Sequence, residues 1–242
     1  AVRAGVGTVM ASYSLVNGVR NHANKDLLTG VLKTELGFDG FVVSDWLAIG
    51  QIEDSARYKE AVKRAILAGV DMGMEPNQHA KFIAALKELV AEGAVPTARI
   101  DDAVRRILRV KFRAGRMESP FLPEFVTSPI GSAAHRDIAR EAVRKSLVLL
   151  KNDSVGGRRS LPLPATGTVA VHGTHADNAG LQCGGWTLGW QGISGTVAGA
   201  TTILQGLKSV MSGANVVTGS SQVSGAAVAV FVVGEQPYAE MK

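Results

Sequence analysis

The chain has 242 residues, a net charge of +5, 46% hydrophobic residues and a single cysteine, Cys183. This length suits one large domain or two smaller ones, and the hydrophobic fraction excludes general disorder. No stretch approaches the roughly 18 uninterrupted apolar residues that span a bilayer, so no membrane partner is expected, and one cysteine excludes an internal disulfide or a multi-cysteine metal site.

Residues 7–14, GTVMASYS, have the pattern of a strand running out to a polar end. SLVNGV follows as a loop with an Asn-Gly turn signal. Asn24 is placed to cap a helix from Asp26 to Leu36, which Gly37 stops. The apolar run Phe41-Val42-Val43 is a buried strand, and it ends in Ser44-Asp45-Trp46. An acid there either caps the next turn or works as a carboxylate at the mouth of a sheet. A helix is expected over 58–68, where Ala61, Val62, Ala65 and Ile66 recur at helical spacing. A short strand is expected over 69–74, then a helix over 77–92. Pro96-Thr97 opens another helix running to about 113. That helix carries the densest basic group, Arg105, Arg106, Arg109, Lys111 and Arg113. No aromatic platform accompanies it, so it is expected as a solvated face and not as a nucleic-acid stripe. Alternating strands and helices imply parallel strands with crossover helices, either half a barrel or a small open sheet.

Composition then changes. Residues 115–131 hold three of the eight prolines and no periodicity, which marks a linker. An amphipathic helix is expected over 133–151, then a loop and the strand TVAVHG, 168–173. GGWTLGWQG, 184–192, is a loop rich in Gly and Trp. A helix over 201–211 and the strand AAVAVFVV, 226–233, complete a second α/β unit. The expected division is 1–115, a linker over 116–132, and 133–242. Cys183 is expected as a small buried residue.

Both halves run a hydrophobic strand into a loop that carries an acid: VVSD, ending at Asp45, and VVGEQPYAE, ending at Glu240. Sheets of this kind place ligands at the carboxyl ends of their strands. Trp46 adjoins Asp45, Tyr238 lies near Glu240, and Trp186 and Trp190 share a third loop. Two carboxylates among aromatic rings suit carbohydrate, whose apolar C–H faces stack on indoles. Glycosidic cleavage needs one carboxylate at an oxocarbenium-like centre and a second group to protonate the leaving oxygen. Glu235, directly at the strand end, rivals Glu240 for the second role. Asp101 and Asp102 suit the first turn of a helix. His22, His135, His172 and His175 lack metal-ligand spacing, so neither a metal nor another cofactor is implied. No Gly-rich phosphate loop follows a strand, which excludes a nucleotide-binding reading.

The segments KTELGFDGFVVSDW, AGVDMGMEPN, RIDDAVRRILRVKFRAG, HRDIAREAVRKSLVLLKN, HADNAGLQCGGWTLGWQG and VVGEQPYAEMK, in this order, resemble glycoside hydrolase family 3, in its β-glucan exohydrolase and β-glucosidase branch. The resemblance implies the C-terminal part of a (β/α)8-type barrel followed by the start of an α/β sandwich domain. It implies a retaining hydrolase that removes glucose from the non-reducing end of a β-linked oligosaccharide or glucoside. Asp45 then corresponds to the nucleophile and Glu240 to the acid/base. Tyr13, Trp46, Met74, Trp186 and Trp190 correspond to sugar-binding positions. A secreted or periplasmic location is implied for the whole protein. Two departures stand out. Leu47 and Gln51 replace an acid and an arginine common after SDW, and the earlier barrel strands have no counterpart. The chain is therefore expected to be an internal fragment with exposed strand edges. A non-catalytic carbohydrate-binding relative is the alternative that Leu47 and Gln51 permit; the presence of both Asp45 and Glu240 favours the enzyme.

Overall fold

The computed structural model describes residues 1–121, 130–219 and 223–241. The protein is a mixed α/β chain that divides into two compact units, Ala1–Ile130 and Gly131–Lys242. Part of the linker expected over 116–132, residues 122–129, lies outside the described residues.

In the first unit, β1 (Thr8–Met10) and β4 (Phe41–Val43) pair in parallel, with Val9 opposite Val42. Between them, β2 (Leu15–Val16) and β3 (Val19–Arg20) form a tight hairpin. Its turn is the Asn17-Gly18 pair, both at positive φ (51° and 78°), which is the geometry that favours these two residues in a two-residue hairpin loop. The helix at Asp26–Glu35 is wound as a π-helix. Asn24 Oδ1 accepts the Leu27 N–H, and Gly37, at φ 66°, ends the run.

α1 (Tyr58–Ala68) buries Tyr58, Ala61, Val62, Ala65 and Ile66, an i, i+3, i+4, i+7, i+8 stripe. α2 (His79–Ala91) and α3 (Thr97–Arg113) follow at the expected places. Phe38, Val42, Ile49, Val62, Ile66, Val70 and Val95 make up much of the core.

The strand expected over 69–74 contracts to a single parallel bridge, Val43 to Met72. The cause is Asp71. Its wholly buried carboxylate, in place of a carbonyl, accepts the Val42 N–H at 2.8 Å. It is balanced by Lys33 at 2.8 Å and Arg99 at 2.6 Å. The basic face of α3 is also less solvated than expected. Arg106 donates to the Phe38 and Gly40 carbonyls and Arg109 to that of Asp39, while Arg113 pairs with the Asp39 carboxylate. These side chains close off carbonyls of the turn before β4 that the sheet leaves unpaired.

In the second unit, α4 runs over Ala133–Ser146. It stops short of the expected 151. The Ser146 hydroxyl bonds back to the Val143 carbonyl and Leu147 turns extended. Leu147, Val148, Leu149 and Leu150 are all exposed. A parallel sheet in the order β6–β5–β7 follows, built from β5 (Gly167–His172), β6 (Ala214–Thr218) and β7 (Val228–Phe231). The central β5 buries Val169, Ala170 and Val171. α5 (Ala179–Cys183) and α6 (Ile203–Val210) cross over, the latter opened by a Thr202/Gln205 capping box. Neither α5 nor β6 was legible in the sequence. Cys183 is exposed, not buried, because α5 turns Ala179, Gly180 and Leu181 inward.

Among the described residues no helix is long and apolar enough to cross a membrane. Among the same residues no group of three or more His, Cys, Asp or Glu is arranged to hold a metal ion.

Candidate active site

In the first unit the chain leaves β4 at Ser44, whose side chain is fully buried. The Ser44 N–H donates to the Met72 carbonyl at 2.9 Å. Its hydroxyl donates to the Asp45 carbonyl at 2.9 Å and accepts the Met74 N–H at 2.7 Å. Ser44 thus ties the end of β4 to the 72–74 segment. Leu47, at φ 52°, donates its N–H to the Met74 carbonyl at 3.0 Å. Asp45 is carried on the resulting turn.

The Asp45 N–H donates to Nε2 of His22 at 2.9 Å, and Asp45 Oδ1 accepts the Trp46 N–H at 2.6 Å. The Tyr13 hydroxyl donates to the Trp46 carbonyl. Four of the seven candidate residues therefore meet at one end of the parallel strands. Tyr13 lies three residues past β1, Asp45 two past β4, and Met74 two past the Met72 bridge. Trp46 is 54% exposed, so its indole face is open to a ring-shaped ligand. Met74 and Asp45 are half-buried.

His22 is buried, with its ring 6.1 Å from the Tyr13 ring in edge contact. Burial holds its pKa below the usual histidine value; the Asp45 carboxylate pulls upward against this, and Arg20 adds to the lowering. Sequence reading gave His22 no role, because its partner lies 23 residues away. Beneath the same turn, Glu75 is buried with neither carboxyl oxygen in good hydrogen-bond geometry. Burial pushes that carboxyl up, against the pull of the Tyr58 hydroxyl and the Lys81 ammonium.

In the second unit, the remaining three candidates lie on two segments that touch. The Trp186 N–H donates to the Trp190 carbonyl at 2.9 Å, closing the loop. The two indoles stand 6.3 Å apart at 60° and are 70% and 45% exposed. Trp186 and Leu188 both sit at φ 61°, a left-handed backbone that costs a non-glycine residue energy. Gly185 and Gly192 admit the 237–239 segment. A Cβ on Gly185 would stand 2.2 Å from the Tyr238 carbonyl oxygen, and one on Gly192 would stand 2.6 Å from Pro237 Cβ. Gln191 completes the join. It accepts the Ala239 N–H at 2.9 Å and donates to the Glu240 carbonyl at 3.3 Å. Gln191 lies within the GGWTLGWQG run, where no local pattern marks its role.

Glu240 is exposed. The carboxylate of its rival Glu235 acts on the Tyr238 hydroxyl and raises the Tyr238 pKa. The Glu235 carbonyl also lies 2.9 Å from His175 Nε2.

Residues 1–110 match the glycosyl hydrolase family 3 N terminal domain, and residues 147–241 match the family's C-terminal domain. A lysosomal beta glucosidase of Dictyostelium discoideum is 35% identical over 217 residues, 86% of this chain and 26% of that protein. A periplasmic beta-glucosidase of Salmonella typhimurium is also 35% identical, over 86% of this chain and 27% of its own length. The crystal structure of an exo-1,3/1,4-beta-glucanase from a Pseudoalteromonas species superposes with a TM-score of 0.85 at 42% identity. That match covers 98% of this chain and 30% of the other. The chain thus spans about a quarter of the length of these curated relatives. It belongs to glycosyl hydrolase family 3.

Proposed function

We propose that this chain is part of a retaining β-glucosidase or exo-β-glucanase that releases glucose from the non-reducing end of β-linked oligosaccharides or glucosides. The observation that carries the proposal is the seating of Asp45. Asp45 sits half-buried at the carboxyl end of a parallel strand, with Oδ1 held by the Trp46 N–H, beside an exposed indole. A carboxylate oriented through one oxygen can present the other to an anomeric carbon.

On this reading an Asp45 oxygen attacks the anomeric carbon as the glycosidic C–O bond breaks. Glu240 gives its proton to the departing oxygen. Glu240, now a carboxylate, takes a proton from water; that water attacks the same carbon and frees Asp45. Trp46, Trp186 and Trp190 supply stacking faces, and Tyr13 and Met74 line the pocket around the nucleophile. The fold that goes with this reading is a (β/α)8-type barrel, to which 1–115 contributes later strands, with 133–242 opening an α/β sandwich. The likeness to a periplasmic relative supports a secreted or periplasmic location. Both carboxylates of the mechanism are present, which favours catalysis over carbohydrate binding alone.

The test is the stereochemistry of hydrolysis by the full-length protein, followed by NMR of the released sugar. The expected first product is the β-anomer of glucose, and Asp45→Asn is expected to abolish turnover. Release of the α-anomer, or full activity in Asp45→Asn, would overturn the proposal.

A further inference from the structure

The turn that carries Asp45 is held from both sides by one short stretch of chain. Tyr13 precedes the β2–β3 hairpin and His22 follows it. The Tyr13 hydroxyl takes the Trp46 carbonyl, and His22 Nε2 takes the Asp45 N–H. The two side chains also touch each other. An imidazole nitrogen that accepts an N–H must be unprotonated, so the ring proton of His22 sits on Nδ1. The ring is only 1% exposed, so no solvent molecule can readily take over from Nε2 when the contact is lost.

We propose that His22 is a positioning residue for the nucleophile: the lone pair on Nε2 fixes the backbone of Asp45, and with it the direction of the carboxylate. The proposal rests on Asp45 being the nucleophile. A proton on Nε2 would break the hydrogen bond and set two N–H groups facing each other. The resulting imidazolium would then be drawn to the Asp45 carboxylate itself. Acid that reaches Nε2 would therefore misalign the nucleophile. The charged groups acting on the ring are Asp45, which favours the imidazolium, and Arg20, which opposes it. Of the elements packed on His22, α1 turns Tyr58 inward as its one titratable buried group, and the Asp26–Glu35 helix turns in Leu28. Misplacing a reacting group by about 1 Å can cost on the order of a hundredfold in rate.

The experiment compares His22→Gln, whose amide oxygen can still accept the Asp45 N–H, with His22→Leu, which cannot. Both are made in the full-length protein. Two quantities are read: kcat and KM for an aryl glucoside across pH, and hydrogen exchange at the Asp45 amide. For His22→Leu, kcat should fall on the order of a hundredfold with KM little changed, and the amide should lose protection. His22→Gln should recover much of both, and its acid limb should move to lower pH, because Gln does not titrate. If His22→Leu does not fold, the wild type against His22→Gln decides: the wild-type amide should lose protection on acidification and the Gln variant should keep it. Equal loss in folded Gln and Leu variants, or amide protection that follows the same pH course in wild type and His22→Gln, would overturn the proposal. Turnover surviving in Asp45→Asn would instead remove the mechanism proposed above and leave the amide measurement intact.

Discussion

The Asp71 carboxylate accepts the backbone N–H of Val42 at 2.8 Å, standing where a neighbouring strand's carbonyl would stand. Lys33 and Arg99 neutralise it, and both donate as well to backbone carbonyls, Lys33 to Gly69 and Arg99 to Ile66 and Val70. Replacing Asp71 by Ala leaves two mostly buried cations and a buried N–H without their acceptor. The expected loss is about 3–5 kcal/mol of stability, read as a lower urea midpoint. A loss below about 1 kcal/mol, the scale of exposed pairs, would contradict this reading of the triad.

Glu75 supports a prediction of opposite sign. Its folded pKa is raised above the unfolded value of about 4.3, mainly by burial. Above that unfolded value the native state holds more protons than the unfolded chain, so stability falls as pH rises toward the folded pKa. Glu75→Gln keeps the shape of the protonated acid and removes the titration. It should raise the denaturation midpoint at neutral pH, with the gain shrinking as pH falls below about 4.3. An equal gain at both pH values, or a loss at neutral pH, would contradict the account.

Gly185 tests the join between the Trp loop and the Glu240 segment. A methyl there would stand 2.2 Å from the Tyr238 oxygen, so Gly185→Ala must push the two segments apart. If Glu240 is the acid, the variant should lose rate mainly on glucosides with poor leaving groups, which need protonation, and much less on activated aryl glucosides. Glu240→Gln should show the same selectivity more strongly. Equal losses on both substrates in the glycosylation step would argue against Glu240 and turn attention to Glu235.

What the sequence disclosed follows from the range of the forces involved. The stripe on α1 and the strand ending in Ser44-Asp45-Trp46 are local patterns, and both were legible. His22, Asp71 and Gln191 were not, because their roles lie in contacts with residues 23, 29 and 48 positions away. The strand expected over 69–74 contracts for the same reason: the carboxylate of Asp71, and not a backbone carbonyl, accepts the Val42 N–H. β6 escaped notice because its five residues alternate only weakly and fully bury none. α4 is shorter than its sequence pattern because the apolar run Leu147–Leu150 extends that pattern after the Ser146 hydroxyl has ended the helix.

The central claim is that Asp45 becomes covalently bonded to the sugar. A 2-deoxy-2-fluoro-glucoside with an activated leaving group slows the second step more than the first, so the glycosyl-enzyme accumulates. Mass spectrometry of the digested full-length protein should then find one fluoroglucosyl group, on the peptide containing Ser44-Asp45-Trp46 and on the Asp45 carboxylate. A label on any other carboxylate, or inactivation without a covalent adduct, would contradict the account.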